Sequence, residues 1–233
     1  MYPSIESSVS EIFGATWNIT NGTKVPKTED VVMKNGGRLV DATYLYADLA
    51  GSSKMADSLF KETTAKIIRA YINSASRILR HQGGEIRSFD GDRVMAIFMG
   101  DDKETRAVRA ALAINWAVVE VIRPAIERSW SDGKNISKIA HGIGIDTGEA
   151  LIVRGGVRDN NDLISIGQAP NRAAKLSEKR DTFPLTITGP VFNAMSADVA
   201  YTDINVLMWQ KQQIRNDIGT LDTLFRSQYS WAI

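Results

Sequence analysis

Residues 85–99, EIRSFDGDRVMAIFM, place the tightest constraint on what this chain can fold into. Two runs of strand composition meet at Asp90-Gly91-Asp92, and an Asp-Gly pair suits the positive φ angles of a tight hairpin turn. The two runs are therefore antiparallel neighbours. A helical pattern stands on each side of them. Ahead, SKMADSLFKETTAKIIRAYINSASRILRHQ places Leu59, Ile67, Tyr71 and Ile78 at helical spacing and stops at Gly83-Gly84. Behind, DKETRAVRAALAINWAVVEVIRPAIERSW predicts a second amphipathic helix, bent near Pro124. RLVDATYLYADL reads as a strand before the first helix, and KIAHGIGIDTG and EALIVRGG as strands after the second.

Strand, helix, strand, strand, helix, strand is the ferredoxin-like βαββαβ arrangement, so the fold class is α/β (α+β), a sandwich built on one main sheet. Further on come a strand (DLISIG), a short helix (APNRAAKLSEKR) and strand-like pieces in PLTIT, INVLMWQ and LFRSQYSWAI. Residues 1–37 are polar, end in KNGG and read as an N-terminal arm; residues 38–233 read as one domain.

Composition narrows the chemistry. The chain has no cysteine and two histidines, His81 and His141, which excludes thiolate chemistry and argues against a His-rich metal site. Any metal is expected on oxygen ligands, which favours Mg²⁺ or Mn²⁺. With 28 Lys+Arg against 27 Asp+Glu, nothing argues for a nucleic-acid partner or an anionic membrane. The start lacks a signal-peptide pattern and no apolar run spans a bilayer, so a cytoplasmic location is expected.

Against that background Asp48 stands out, because it interrupts the apolar run YLYADL at the end of the first strand. In a βαββαβ unit that strand end lies beside the FDGD hairpin turn, so Asp48 converges with Asp90 or Asp92. Alone, Asp90 is ordinary turn chemistry and Asp48 a capping residue for the next helix. Together, two carboxylates make a seat for divalent ions that clamp attacking and leaving oxygens. The small residues Ala50, Gly51, Ser52 and Ser53 let backbone N–H groups at a helix start approach a phosphate.

YADLAGSS, FDGDRVMAIF, GIGIDTGEALI and IGQAPNRAAKLSE, in this order over about residues 38–195, resemble the class III nucleotide cyclases, the adenylate and guanylate cyclase family. The resemblance implies a homodimer with composite sites at the subunit interface. It also implies cyclisation of a nucleoside triphosphate to the 3′,5′-cyclic monophosphate with release of pyrophosphate. On it, Asp48 and Asp92 are the metal-binding aspartates, assisted by the carbonyl of Leu49, with two Mg²⁺ or Mn²⁺ ions per site. Asn171 falls on the asparagine that orients the ribose. Lys175 stands where the family has an arginine; it keeps the charge and loses the planar fork of donors. No C-terminal lysine can be matched to the family's phosphate-binding one, Lys211 being no more than a guess.

The base-reading positions also depart from the purine enzymes. Ser88 stands where those carry lysine or glutamate, and Ile164 where adenylate cyclases often carry aspartate. A site without paired donors and acceptors loses base selectivity. The same stretches are similar to the pyrimidine cyclases of Pycsar-type antiphage systems, which make cyclic UMP or cyclic CMP for a cyclic-nucleotide-sensing effector. Tyr46, on the strand face of Asp48, can narrow the pocket against a bicyclic base. Arg93 can donate to a pyrimidine carbonyl, which favours UTP over CTP. Two alternatives remain open at this point: a purine cyclase with atypical base contacts, and a decayed cyclase-like nucleotide-binding or dimerisation module.

Overall fold

The computed structural model describes residues 4–179, 181–215 and 221–232. Its strands are β1 (Asn18–Asn21), β2 (Gly36–Ala50), β3 (Glu85–Asp90), β4 (Arg93–Phe98), β5 (Ala140–Val157), β6 (Asn160–Ile166), β7 (Leu185–Thr188), β8 (Gln210–Arg215) and β9 (Leu221–Ser227). The helices are α1 (Ile5–Gly14), α2 (Ser52–Ser58), α3 (Lys61–His81), α4 (Lys103–Trp116), α5 (Arg123–Ser129), α6 (Gly133–Ile136), α7 (Gln168–Ser177), α8 (Gly189–Ala194) and α9 (Ala197–Ala200). One sheet runs β3-β4-β2-β5-β7-β9-β8, with β1 added to β2 and β6 to β5. Strand β2 is antiparallel to both β4 and β5, which is the expected βαββαβ core.

The even and odd residues of β2 serve two different layers, as strand periodicity requires. Leu45, Ala47 and Leu49 are fully buried with Ile67 and Tyr71 of α3 and Val108 and Leu112 of α4. Val40, Ala42 and Tyr44 pack with Ala150, Ile152 and the α7 residues Ala169 and Ala173. Helix α7 can lie this close because β5 offers glycines beneath it. A Cβ at Gly142 would stand 2.1 Å from the Ser177 carbonyl oxygen, and one at Gly144 2.1 Å from that of Ala173.

Three expectations are corrected by packing. The long helix of residues 52–82 is two helices: Leu59 is extended, and the Ser58 hydroxyl turns back to donate to the Lys54 carbonyl at 2.6 Å. Its C-terminal end does lie at the glycine pair. There Gly83, at φ +75°, donates to Arg80 O, and Gly84 donates to Leu79 O, closing the last turn. KIAHGIGIDTG and EALIVRGG form the single strand β5, because Gly148 takes φ +152° without breaking its register with Ala42. INVLMWQ forms no strand of its own and enters the sheet only at Gln210, the first residue of β8. Before that, Leu207 makes only an isolated antiparallel bridge with Tyr201, flanked by Thr202 N–H to the Val206 carbonyl and Met208 N–H to the Ala200 carbonyl. The bend foreseen at Pro124 takes the form of a π-helical segment, Ala117–Ile122, running into α5. In the arm, β1 pairs in parallel with the start of β2, two residues ahead of Arg38, and α1 buries none of its residues.

His141 belongs to this framework. Its ring is buried beside Leu49, Nε2 lies 2.9 Å from Asn115 Oδ1, and Asn115 Nδ2 donates to the Gln228 and Tyr229 carbonyls. Burial first, and nearby Arg123 second, push its pKa down to about 3. An unfolded chain protonates this imidazole near 6.5, so its stability contribution is complete above that pH and is lost as pH falls towards 3. Urea unfolding should lose up to about 1.4 kcal/mol per pH unit from this group between pH 6.5 and 5. In His141→Gln that slope should be shallower by one proton; an unchanged slope would overturn the assignment.

Candidate active site

Asp48 lies near the end of β2, paired with Arg93 on one side and Gly142 on the other. The hairpin turn, with Gly91 at φ +61°, delivers Asp92 to the same sheet end, where Leu49 N–H donates to the Asp92 carbonyl at 3.4 Å. Asp48, Asp90, Gly91, Asp92, Arg93 and Glu178 line a cleft of about 500 Å³. Asp48 is 4% exposed. Oδ2 of Asp92 is buried and has no hydrogen-bond partner. A buried carboxylate oxygen without a donor is costly, and a cation is the partner that would satisfy it. The residues therefore fit a divalent ion. Among the described residues no three His, Cys, Asp or Glu side chains form a metal cluster, so a seat here would combine two carboxylates with backbone oxygens such as that of Leu49.

Tyr46 follows the Asp48 face and its register partner is Met95, which also partners Ser88. Tyr46, Met95 and Ser88 thus form one row across three strands. The Arg93 guanidinium lies 5.7 Å from the centroid of the Tyr46 ring. Asp90 at 2.9 Å and Glu178 at 3.8 Å hold it there. Burial pushes the Tyr46 hydroxyl up and Arg93 offsets only part of that, so it stays a neutral phenol.

Ile164 stands in a different register row. It pairs with Val153, which pairs with Gly37, whereas Tyr46 pairs with Gly144. The β6 segment nevertheless curls back over β3: Asp162 pairs with Arg87, the neighbour of Ser88, at 3.3 Å, Leu163 packs with Tyr46 against the same apolar cluster, and Ile164 itself is half exposed. Ala50 and Gly51, the latter at φ +77° capping α2, open on a separate hollow that also includes Lys54, Asp132 and Asn135; Ser52 and Ser53 begin α2.

Asn171 and Lys175 are exposed one turn apart on α7, so they share a face. They line a second cleft, of about 390 Å³, with Gln168, Arg172, Lys179, Arg215 and Asp222. Arg215, not Lys211, brings the C-terminal hairpin into this cleft. Nothing in the local sequence distinguishes Arg215, and Arg172 is marked only by following Asn171. The two clefts have opposite signs. The first holds four carboxylates and one guanidinium, the second four cations and one carboxylate.

No family model matches the chain. Among curated proteins it is 49% identical over 178 residues to a uridylate cyclase of Rhodovulum sp. (strain MB263), covering 76% of this chain and 74% of that protein. It is 38% identical over 224 residues to a uridylate cyclase of Xanthomonas perforans, covering 96% and 94%. A uridylate cyclase of Burkholderia cepacia is 37% identical over 97% of this chain and 96% of its own length. Among solved structures, the guanylyl cyclase Cya2 superposes with TM-score 0.70 at 19% identity, over 84% of this chain and 95% of that one. The adenylyl cyclase CyaB of P. aeruginosa gives 0.68 at 20%, over 82% and 95%. The fold comes from these structures and the kinship from the curated relatives: the chain belongs to the class III nucleotide cyclases, with the proteins named uridylate cyclases.

Proposed function

We propose that the protein converts UTP to 3′,5′-cyclic UMP and pyrophosphate, at two sites shared between the subunits of a homodimer, as the messenger-producing arm of an antiphage system. The observation that carries the chemistry is the cleft in which Asp48 and the partnerless Asp92 Oδ2 stand beside the Arg93–Tyr46 pair. Two Mg²⁺ or Mn²⁺ ions held by Asp48, Asp92 and the Leu49 carbonyl would supply charge for an in-line displacement at the α-phosphorus. The protein's own groups do the rest. Tyr46 and Arg93 face the base: the phenol fills the space that a purine's second ring would need, and the guanidinium donates to a uracil carbonyl. Ser88, one register step beyond Met95, adds a small polar group to that wall. Asn171 orients the ribose so that its 3′-oxygen faces the α-phosphorus, and Lys175 meets the negative charge growing on the phosphate oxygens. Ala50 to Ser53 shape the backbone that passes the phosphates.

The dimer is supported by charge. Within one chain, Asn171 and Lys175 line a different cleft from Asp48 and Asp92. A two-fold axis sets the acidic cleft of each subunit against the basic cleft of the other, which is a self-complementary contact. No helix among the described residues is long and apolar enough to cross a membrane.

Incubation with each of the four ribonucleoside triphosphates and Mn²⁺, with products identified by mass spectrometry, tests the reading. Cyclic UMP should dominate, and Tyr46→Ala should relax discrimination against purines more than it slows the uridine reaction. Cyclic AMP or cyclic GMP as the main wild-type product would overturn it.

A further inference from the structure

The second cleft contains an ion network that links four elements. Asp146 of β5 is 2% exposed. Its Oδ1 accepts from the Thr188 hydroxyl at 2.5 Å, at the end of β7, and from Thr147 N–H at 2.9 Å. Its Oδ2 lies 3.5 Å from Arg172 Nε on α7, and Arg172 Nη2 lies 2.9 Å from Asp222 Oδ2 on β9. The last contact is an ion pair rather than an aligned hydrogen bond. Asp222 sits next to the Arg215–Leu221 register pair, at the point where the C-terminal hairpin reaches the cleft.

A guanidinium committed to two carboxylates is poorly placed to act on substrate, but well placed to tie α7 to that hairpin. Arg172 is anchored at one end on a carboxylate buried in the sheet, and at the other on the only acidic residue lining the cleft among those described. The pairing thus sets the distance between Asn171 and Lys175, carried by α7, and Arg215, carried by β8. We infer that Arg172, bridged between Asp146 and Asp222, is a positioning residue that holds the C-terminal hairpin against α7, so that Arg215 faces the same polyphosphate as Lys175. This deepens the proposed function and rests on reading the cleft as part of a nucleotide site. Burial raises the Asp146 carboxyl, and the Thr188 hydroxyl and then Arg172 counter it, which fits a carboxylate that depends on these partners for its charge.

Removing Arg172 outright would strand a buried charge and risks unfolding. The test therefore uses Asp222→Asn, which leaves the Asp146–Arg172 contact in place, and Arg172→Lys, which keeps the charge and loses the fork. Each single variant should lose about tenfold in kcat/KM for UTP, chiefly through KM. The Mn²⁺ concentration for half-maximal rate should not move, because Asp48 and Asp92 lie in the other cleft; a general loosening of the fold would move it. The double variant should be no worse than the weaker single, since both cut one bridge. Calorimetry with tripolyphosphate in EDTA reads the same cleft without turnover, and each variant should bind it about tenfold more weakly than wild type. Unchanged affinity and kcat/KM in the singles, or fully additive losses in the double, would overturn the bridge. If the wild type cyclises no nucleotide while the variants still lose tripolyphosphate, the bridge stands and the proposed function falls.

Discussion

Asp92→Asn is expected to abolish cyclisation while leaving the folded protein intact. Asparagine fills the same volume at the hairpin turn but removes the charge from an oxygen that is buried without a partner. In the absence of metal the variant should be as stable as wild type or slightly more so, because the first cleft gathers four carboxylates around one guanidinium and loses part of its repulsion. Asp48→Asn should behave in the same way. Loss of an outer partner of a metal ligand commonly costs about 10–100-fold, so replacement of a ligand itself should exceed about 100-fold. Melting in EDTA, with and without added Mn²⁺, supplies the second readout: metal should raise the melting temperature of the wild type and leave both variants where they were. Full turnover by Asp92→Asn would remove it from the metal seat, and Asp90, exposed and engaged with Arg93, would be the next candidate.

The second large effect is a recovery rather than a loss. Asp48→Ala and Asn171→Ala homodimers should each be nearly inactive, since every site in either carries one defect. Co-expressed, they should form about half heterodimers, in which one composite site carries both defects and the other carries none. Activity should then return to roughly a quarter of wild type. A site contained within one chain predicts no recovery at any mixing ratio, so silent, verified heterodimers would overturn the shared site. The separate clefts of Asp48 and Asn171 in one chain are the structural ground for expecting recovery.

The sequence by itself determined whatever depends on neighbours along the chain. Asp90-Gly91-Asp92 dictates the hairpin because few residue pairs tolerate its backbone, and the flanking helical spacings then leave β2 in the sheet centre. Asp48 and Asp92 follow from that topology, since register places both at one strand end. The spacing of Asn171 and Lys175 dictates a shared helix face in the same way. Tertiary structure decided what depends on contacts between distant segments. Whether residues 52–82 make one helix or two turns on how Leu59 meets the core, which periodicity does not report. INVLMWQ has the composition of a strand, but it folds back on residues 200–202 in a single bridge and joins the sheet only at Gln210. Arg215 and Asp222 enter the second cleft only because β8 and β9 extend the sheet beyond β7, and Arg172 acquires its role only from a carboxylate 26 residues before it and another 50 after. Ile164 shows the same limit. Its register row is not that of Tyr46, and only the curl of β6 over β3, where Asp162 pairs with Arg87 beside Ser88, brings its segment towards that ring. Local backbone preference is written residue by residue, whereas the meeting of charges across a sheet is fixed by register and packing, which no short stretch of sequence encodes.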